Sequence, residues 1–462
     1  MKLTILGSGP GGYVAALKAA RLGAQVTIIE DAEVGGTCLN WGCIPTKSLV
    51  ASVEALRKAK RLDEYGIDVQ GEIRPNLSRM MERKDKIVAT QIRGIRTLFK
   101  SWGITLIEGK GMLVTPEKVE VRKKDGLTEI IETDKIIIAT GSRPAQLPMF
   151  PVDGEYSLSS DHAVKLKSIP RSLIIIGAGV IGCEFACIFR ELGTEITMIE
   201  IMPGALAAED REISELLERE FKKKKIRLMT GVKVDRVEHL DNGIHIYLNG
   251  GEEVVAEKLL VSIGRALNVE NIGLEAAGVR KGPRGEILVN DRMETNIRGI
   301  YAIGDVTGGL LLAHKASREG IVAASNAFGI DKKMDYNVVP AGIFTSPEIG
   351  SVGLREHQAA EKGIKLKIGR FQFRMLGKAH AIGETTGMVK ILAEAATDRV
   401  LGMHIIGPHA ADLVHEGALA MQGGLTAAAV ADMIHSHPTL AESIMEAAED
   451  VNGEAIHAMK TK

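Results

Sequence analysis

The same order of segments occurs twice in this chain, and it limits strongly what the chain can fold into. Each copy runs strand, G-x-G-x-x-G turn, helix and second strand, and ends in an acid 18 positions after the last glycine. A lone G-x-G-x-x-G is a weak signal, but the complete strand–turn–helix–strand context predicts a Rossmann-type nucleotide-binding unit. We therefore predict two such units. The key positions are Gly7, Gly9, Gly12 and Glu30 in the first copy and Gly177, Gly179, Gly182 and Glu200 in the second.

Each residue type in these turns has a physical task. The first glycine makes the tight turn, the second admits a pyrophosphate, and the third lets the helix pack on the strand. The helix N-terminus then faces the negative charge of the phosphates. Glu30 and Glu200 are expected to accept hydrogen bonds from ribose hydroxyls. Because a carboxylate repels a 2′-phosphate, Glu200 predicts NAD rather than NADP in the second unit.

Bulk properties exclude several classes of protein. The 462 residues are too many for one ordinary core, and a net charge of -1 provides no general field for nucleic acid. The run 222–225 of four lysines is interpreted as a solvated helix end. No apolar stretch approaches the length of a membrane span, and no signal peptide precedes the first strand. With only four cysteines, we expect a cytoplasmic protein that does not bind membranes.

The remaining segments predict an α/β protein with two Rossmann-like domains and a C-terminal α+β interface domain. Residues 79–99 are compatible with a long helix, and the strand-to-turn segment 300–305 is expected to return the chain to the first nucleotide domain. From about residue 340, strand-like runs precede Ala-rich helices. The predicted boundaries are 1–147 for the first nucleotide domain, 148–268 for the second, 269–338 for the return segment and 339–462 for the C-terminal domain.

Two cysteines follow closely after the first nucleotide turn. Cys38 and Cys43 are separated by four residues, so one helical turn would bring their sulfurs close enough to join or to part. In a cytoplasmic protein, a lasting disulfide is more often catalytic than structural. Two ordinary buried thiols are the alternative interpretation. Cys183 and Cys187 also lie four apart, but their helix must pack on the sheet, and we interpret them as core thiols rather than metal ligands.

A histidine and a carboxylate near the C-terminus form a second candidate for chemistry. Glu442 lies five positions after His437, and a carboxylate held against a histidine would fix its tautomer and favour a general base. Reduction or oxidation of a dithiol needs such a base, because thiolates attack and thiols do not. From the sequence alone, a surface ion pair remains the alternative.

These motifs, taken in order, resemble the flavoprotein disulfide reductases, and within that family the dihydrolipoamide dehydrogenase group most closely. The resemblance covers nearly the whole chain and implies FAD in the first nucleotide domain and NAD in the second. It is carried by the segments 7–12, 36–47, 139–144, 177–184, 262–265, 302–305, 312–315 and 435–442.

The resemblance also implies a role for each of these positions. Cys43 would face the flavin and form the charge-transfer thiolate, and Cys38 would exchange with substrate. His437, oriented by Glu442, would serve the disulfide of the other subunit across a homodimer interface. Lys47 would sit by the flavin and pair with Glu184. The remaining flavin contacts implied are Gly7, Gly9, Gly12, Glu30, Thr37, Gly111, Thr140, Gly141, Ser142, Gly304, Asp305, Leu312, Ala313 and His314. The positions implied near NAD or the flavin are Gly177, Gly179, Gly182, Glu184, Glu200, Val234, Gly264 and Arg265.

The activity implied is oxidation of protein-bound dihydrolipoamide, with electrons passing through the Cys38–Cys43 disulfide and FAD to NAD⁺. The partner implied is a lipoyl-bearing acyltransferase or glycine-cleavage carrier protein of a 2-oxo acid dehydrogenase or related complex. A related reductase acting on glutathione or mercuric ion is one alternative. A subunit that serves chiefly for docking in such a complex is another, although the cysteine pair, Glu184 and His437–Glu442 favour catalysis.

Overall fold

The computed structural model describes residues 1–458. Within them the strands, in chain order, are β1 (Lys2–Leu6), β2 (Gln25–Glu30), β3 (Thr105–Thr115), β4 (Lys118–Lys123), β5 (Thr128–Glu132), β6 (Lys135–Ile138), β7 (Ser142–Pro144), β8 (Ser157–Leu158), β9 (Ser172–Ile176), β10 (Glu195–Ile199), β11 (Arg227–Met229), β12 (Val234–Leu240), β13 (Gly243–Leu248), β14 (Glu253–Ala256), β15 (Lys258–Val261), β16 (Arg265–Leu267), β17 (Ile300–Ala302), β18 (Ala341–Ile343), β19 (Ile349–Gly353), β20 (Leu366–Gln372), β21 (Met388–Glu394) and β22 (Val400–Ile406).

The α-helices of the same part of the chain are α1 (Pro10–Arg21), α2 (Gly36–Asn40), α3 (Cys43–Ala59), α4 (Leu77–Ser101), α5 (Ser160–Ala163), α6 (Val180–Glu191), α7 (Arg211–Lys223), α8 (Ala313–Ala327), α9 (Glu356–Glu361), α10 (Gly377–Ala381), α11 (Ala410–Gln422), α12 (Ala427–Ala431) and α13 (Glu442–Asp450). Short 3₁₀ turns occur at Leu62–Tyr65, Gly304–Thr307 and Phe373–Met375.

The first compact unit comprises Met1–Leu147, Ser159–Ser168 and Ile263–Asp335. Its large sheet has the strand order β17-β6-β1-β2-β3-β4-β5, parallel from β17 to β3 and antiparallel from β3 to β5. The isoleucines of β6 are fully buried, as in a parallel strand that is covered on both faces. Because β17 pairs with β6, the prediction that the chain returns to the first nucleotide domain is confirmed, and α4 confirms the predicted long helix.

The second compact unit comprises Pro148–Leu158, Ile169–Ser262 and the chain from Tyr336 onward. It contains a parallel sheet in the order β11-β10-β9-β15-β8 and an antiparallel sheet in the order β12-β13-β14. A second antiparallel sheet, β18-β19-β22-β21-β20, carries α11 and α13, so the predicted C-terminal α+β fold is confirmed. The predicted four-part domain division stays a prediction, and the structure places Ile263–Asn268 with the first unit rather than the second.

The described helices include none that is both long and apolar enough to cross a bilayer. The predicted end of α7 in the lysine run is confirmed, because the helix stops at Lys223 and Lys225 adopts a positive φ of 59°. Cys183 and Cys187 are buried on α6, which confirms their interpretation as core thiols.

A buried lysine joins the nucleotide-binding part of the second unit to its C-terminal sheet. Lys390 lies on β21 and is 1% exposed. Its Nζ donates to both carboxylate oxygens of Asp210 at 3.0 Å, to Glu212 at 2.8 Å and to Glu356 at 2.7 Å. Arg370 adds hydrogen bonds to Glu212. A buried charge is tolerated only when it is paired and hydrogen-bonded, and here every Nζ proton has an acceptor.

This cluster predicts an acid-dependent loss of stability. The hydrogen bond from Arg370 is the main cause that lowers the pKa of Glu212 to about 2; burial opposes it, and Lys390 adds to it. A carboxylate with a depressed folded pKa stabilises the protein above its ordinary pKa of 4.5, and this stabilisation is lost as the pH falls from there toward 2. We therefore expect Glu212→Gln to lower the free energy of unfolding at pH 6. The difference from wild type should be smaller at pH 3.5.

Urea unfolding of wild type and variant at both pH values measures this difference. The matched control is Glu215→Gln, which removes a more exposed carboxylate from the same helix, paired only with exposed Arg211. Its effect should be small at both pH values. A difference between wild type and Glu212→Gln that stays constant from pH 6 to 3.5 would contradict the prediction.

Candidate active site

The first glycine turn has the shape that a bound pyrophosphate requires. Gly7 has a φ of 96°, and a Cβ there would lie 2.4 Å from the Ala139 carbonyl oxygen. At Gly12 a Cβ would lie 1.9 Å from the Gly7 oxygen, so α1 packs directly on the turn. A Cβ at Gly9 would meet only the Gly36 Cα, at 4.0 Å, so open space lies above the middle glycine. No side chain caps the start of α1 at Gly9, which leaves its terminal N–H groups for an anion.

The second turn repeats this geometry in the second unit. A Cβ at Gly177 would lie 2.5 Å from the Ser262 oxygen and one at Gly182 would lie 2.0 Å from the Gly177 oxygen, whereas a Cβ at Gly179 would meet no atom within 4 Å. The start of α6 at Gly179 again has no side-chain cap. Both turns therefore have the open middle position that fits a dinucleotide.

The two acids are already oriented by the turns they follow. Glu30 accepts hydrogen bonds from the Ser8 N–H at 2.8 Å, the Ser8 hydroxyl at 2.6 Å and the Ala32 N–H at 2.8 Å. Glu200 accepts from the Ala178 N–H at 2.6 Å and the Met202 N–H at 2.8 Å. A carboxylate offers about four acceptor positions. Each acid is thus held rigidly and keeps capacity for a ribose hydroxyl.

The cysteine pair spans a break between two helices rather than one helical turn. Cys38 lies in α2, and Cys43 begins α3 after Trp41 and Gly42. The expectation of a single turn was wrong, because the chain turns at Gly42, where a Cβ would lie 3.0 Å from the Thr37 oxygen. The expected contact is nevertheless made. The Cys38 and Cys43 side chains lie within hydrogen-bonding distance of each other.

The surroundings of Cys38 favour its protonated form, the thiol. The hydrogen bond with Cys43, burial and the nearby charge of Cys43 raise the pKa of Cys38, and the charge of Lys47 opposes them only partly. Because the thiolate is the reactive form, this pair needs a proton acceptor before it can attack a disulfide. Tyr13 also lies within its electrostatic reach, since burial and then the charge of Cys38 raise the pKa of the phenol. No sequence motif pointed to Tyr13.

The redox segment is built onto the first glycine turn. Gly36 has a φ of 59°, and a Cβ there would lie 2.7 Å from the Gly9 Cα. Only glycine permits this approach of two backbones. The helix that carries Cys38 therefore starts against the turn that would hold a pyrophosphate.

Ser142 joins several of the predicted flavin residues. Its hydroxyl contacts the Asp305 carboxylate. Arg265 donates from Nε to the Ser142 hydroxyl at 2.7 Å and from Nη2 to the Ser142 carbonyl at 2.8 Å. Thr37 donates to the same carbonyl at 3.3 Å. The structure thus places Arg265 in contact with Ser142, one of the predicted flavin residues of the first unit.

Asn268 is a residue of this region that sequence reasoning missed. The Asn268 side-chain amide donates to the Thr140 carbonyl at 2.9 Å, and the Asn268 backbone carbonyl accepts from the Thr140 hydroxyl at 2.7 Å. Its backbone N–H donates to the Gly141 carbonyl. The pairing of β7 with β16 brings these segments together. No local pattern at Asn268 could have revealed a partner more than a hundred residues earlier.

His437 and Glu442 form the predicted pair within the second unit. The Nδ1 of His437 lies 2.8 Å from Glu442 Oε1, and the Thr439 N–H donates to Oε2 at 2.8 Å. Burial pushes the pKa of Glu442 upward, but the hydrogen bonds from Thr439 and His437 outweigh it, so the pKa lies below the ordinary value. An ionised Glu442 accepts the Nδ1 proton and leaves Nε2 as the proton acceptor. The ring is 77% exposed and can meet a second molecule.

The other predicted positions occupy varied surroundings. Glu184 is buried on α6 and accepts the Phe344 N–H at 2.9 Å. Val234 is a buried strand residue of β12 whose side chain packs within the sheet. At Gly111 a Cβ would lie 2.6 Å from the end of the Leu6 side chain, so a larger residue there would require Leu6 to move. The remaining positions lie on a helix or at a turn; they are Lys47 on α3, Gly141 and Gly264 in turns, and Leu312, Ala313 and His314 at the start of α8.

A dithiol built onto a nucleotide turn, in a chain with a second such turn, is the arrangement of an oxidoreductase that moves electron pairs between a disulfide and nucleotide cofactors. Comparison with known proteins agrees. The chain belongs to the pyridine nucleotide-disulphide oxidoreductase family, whose model matches residues 1–320, and the dimerisation domain of that family matches residues 339–448.

Several relatives are similar over nearly their whole length. The dihydrolipoyl dehydrogenase of Chlamydia muridarum is 42% identical over 96% of this chain and 95% of its own. That of Bacillus subtilis is 42% identical over 98% of both chains. The crystal structure of LpdA from Mycobacterium tuberculosis has a TM-score of 0.91 at 30% identity, covering 97% of this chain and 99% of that one.

These findings confirm the predicted class. The protein is an FAD-dependent oxidoreductase that uses NAD as its second cofactor. The match to the dimerisation domain supports a homodimer. The roles of individual residues stay predictions.

Proposed function

We propose that this protein is a dihydrolipoamide dehydrogenase, which oxidises protein-bound dihydrolipoamide through the Cys38–Cys43 disulfide with NAD⁺ as the final acceptor. The observation that carries the proposal is the Cys38–Cys43 contact on the first glycine turn, in a chain similar from end to end to dihydrolipoyl dehydrogenases. The two open glycine turns and their acids supply the sites for FAD and NAD. When bound, FAD supplies the chemistry that moves the electron pair from the dithiol to NAD⁺ as a hydride.

The chain's own residues carry out the proton and sulfur chemistry. His437 of the partner subunit takes a proton from one substrate thiol at Nε2, and the resulting thiolate attacks Cys38 Sγ. The Cys38–Cys43 bond breaks, a mixed disulfide with Cys38 forms, and Cys43 leaves as a thiolate. The second substrate thiol gives its proton to solvent, and its thiolate attacks the substrate sulfur bound to Cys38. This breaks the mixed disulfide and releases the cyclic disulfide, while Cys38 takes back the proton held on His437, which leaves a Cys38 thiol and a Cys43 thiolate. In this proposal Cys43 faces the flavin, and the positive charge of Lys47 on α3 acts on the neighbouring Cys38, whose pKa it lowers.

Two related activities are the main alternatives. Glutathione-type reductases usually take NADP, and Glu200, fixed by two backbone N–H groups, opposes a 2′-phosphate. Mercuric reductases carry an added cysteine pair near the C-terminus, whereas this sequence has no cysteine after Cys187. Both features favour lipoamide.

The proposed partner is a lipoyl-bearing protein, either an acyltransferase or a glycine-cleavage carrier of a 2-oxo acid dehydrogenase or related complex. A substrate tethered to a protein suits a base on an exposed ring, because the lipoyl arm must reach the dithiol from outside. The predicted cytoplasmic location stays a prediction.

A substrate panel tests the proposal. Purified protein is assayed with dihydrolipoamide and NAD⁺, with dihydrolipoamide and NADP⁺, and in the reductive direction with glutathione disulfide and with mercuric ion. We expect dihydrolipoamide with NAD⁺ to give the highest kcat/KM, at least about 10²-fold above the NADP⁺ arm, since an unpaired charge clash costs several kcal/mol. Preference for NADP⁺ would overturn the role of Glu200, and faster turnover of glutathione disulfide or mercuric ion would overturn the lipoamide assignment.

A further inference from the structure

A second buried ion pair lies in the first unit, among residues with no role in the proposed sulfur chemistry. Lys315 and Glu319 are one turn apart on α8, and their side chains are 2% and 0% exposed. Lys315 Nζ lies 3.2 Å from Glu319 Oε1. Burying two charges is unfavourable unless each is fully hydrogen-bonded, and an apolar pair of similar size is often as stable. Packing alone therefore does not explain why this buried ion pair is present.

Further hydrogen bonds of the pair go to one short turn. Glu319 Oε2 accepts the Gly304 N–H at 2.7 Å. Lys315 Nζ donates to the Gly308 carbonyl at 3.0 Å and reaches the Gly304 carbonyl at 3.4 Å. It also reaches the Thr307 hydroxyl, which itself donates to Gly304. The pair thus holds both ends of the 3₁₀ turn Gly304–Thr307, and apolar side chains could satisfy none of these backbone groups.

The clamped turn presents Asp305 to the flavin side of the unit. Asp305 contacts the Ser142 hydroxyl, and Arg265 joins the same group. The position of the Asp305 carboxylate therefore depends on how firmly the turn is held.

The helix that carries the ion pair also packs on the first phosphate helix. A Cβ at Gly320 would lie 2.5 Å from the Gly11 oxygen, and a Cβ at Gly11 would lie 3.1 Å from the Ala316 oxygen. The two backbones are therefore in close contact at the residues that directly follow Lys315 and Glu319 on α8. As a result, α8 connects the N-terminus of α1, where the pyrophosphate would bind, with the turn that carries Asp305.

We propose that Lys315 and Glu319 are positioning residues for FAD, which fix the Asp305 turn relative to the N-terminus of α1. The proposal rests on the flavin role assigned to Asp305 above. The ion pair holds Gly304 and Gly308, the two ends of a turn whose middle is anchored separately by the hydrogen bond from the Ile287 N–H to the Val306 carbonyl. Without it, the turn would have to be ordered by the cofactor, and binding would lose the free energy spent on that ordering.

Titration of the deflavinated protein with FAD tests this inference, with flavin fluorescence reporting binding. We expect Lys315→Met and Glu319→Gln each to raise the Kd for FAD by at least about 10-fold, since each leaves a buried charge without its partner. The double variant Lys315→Met/Glu319→Gln has no such charge and should fold better, yet still bind FAD more weakly than wild type. Circular dichroism of the bound flavin should change, because the Asp305 carboxylate is displaced.

The matched control is Lys390→Met, which removes an equally buried lysine from the second unit. It should lower the urea midpoint but leave the Kd for FAD within about 2-fold of wild type. If the charged variants do not fold, Thr307→Val decides, since it removes only the hydroxyl bonded to Gly304 and should raise Kd by about 3-fold. A Kd for FAD equal to that of wild type in the double variant would overturn the proposal. If the Lys315 and Glu319 variants do not fold, a wild-type Kd in Thr307→Val would overturn it. The titration uses no lipoamide, so failure of the lipoamide assignment would leave its result unchanged.

Discussion

Replacing Cys38 with serine should lower the kcat for dihydrolipoamide oxidation by at least roughly 10³-fold, while FAD remains bound. Serine cannot form the disulfide that accepts the electron pair, so no route from substrate to the cofactors remains. The fold should tolerate the change, because Cys38 is half-buried and serine is similar in size. Turnover is measured as NADH formation, and visible flavin absorbance shows whether the cofactor is retained.

The matched control is Cys187→Ala, which removes a buried thiol from α6 in the second unit. Burial, the largest effect, raises the pKa of Cys187 to about 11, so this thiol is not a nucleophile at neutral pH. Its loss should leave kcat within about 2-fold of wild type and cost roughly 1 kcal/mol of stability. Cys43→Ser should abolish turnover as Cys38→Ser does. If Cys38→Ser turned over lipoamide at a wild-type rate, the disulfide mechanism would be wrong.

The parts of the structure that were predictable from the sequence are those set by neighbours along the chain. The strand β1, the glycine turn and β2 lie where the spacing to Glu30 predicts them, because β1 and β2 pair in register within one βαβ segment. The same holds for the second copy up to Glu200. A G-x-G-x-x-G turn needs only local backbone geometry, so its sequence carries most of the information.

Contacts between distant segments could not be predicted in this way. The helix break between Cys38 and Cys43 is a local feature that was also missed, because the spacing of the two cysteines does not reveal the close approach of Gly42 to the Thr37 carbonyl. The hydrogen bonds of Arg265 to Ser142 come from strand pairing across more than a hundred residues.

Lys315 shows the same limit for a charged side chain. The segment 312–315 resembles the family but carries no sign that Lys315 is buried, and its burial follows from the way α8 packs on α1. Lysine is rarely buried unless it is paired. A prediction from sequence would therefore place it at the surface.

The second large effect is expected from replacing His437, the proposed general base. His437→Gln should lower kcat for dihydrolipoamide by about 10²–10⁴-fold, because glutamine cannot take the substrate proton at neutral pH. Glu442→Gln should have a smaller effect, since it keeps a hydrogen-bonding group beside Nδ1 but no longer favours the tautomer with Nε2 free. As the pH rises and the substrate thiol ionises without help, the deficit of His437→Gln should shrink. A deficit that does not change with pH would favour a structural role for His437.

A further prediction for the proposed homodimer distinguishes a base supplied by the partner subunit and a base supplied by the same chain. A Cys38→Ser subunit retains His437, and a His437→Gln subunit retains Cys38, so each homodimer is inactive. If the base acts on the other subunit's disulfide, a mixed dimer contains one complete site out of two. Because random exchange makes half of the dimers mixed, the mixture should regain about a quarter of wild-type activity. Co-expression with two affinity tags isolates the mixed dimer, which should have about half of wild-type kcat. An inactive mixed dimer that retains FAD would show that Cys38 and His437 must belong to the same chain.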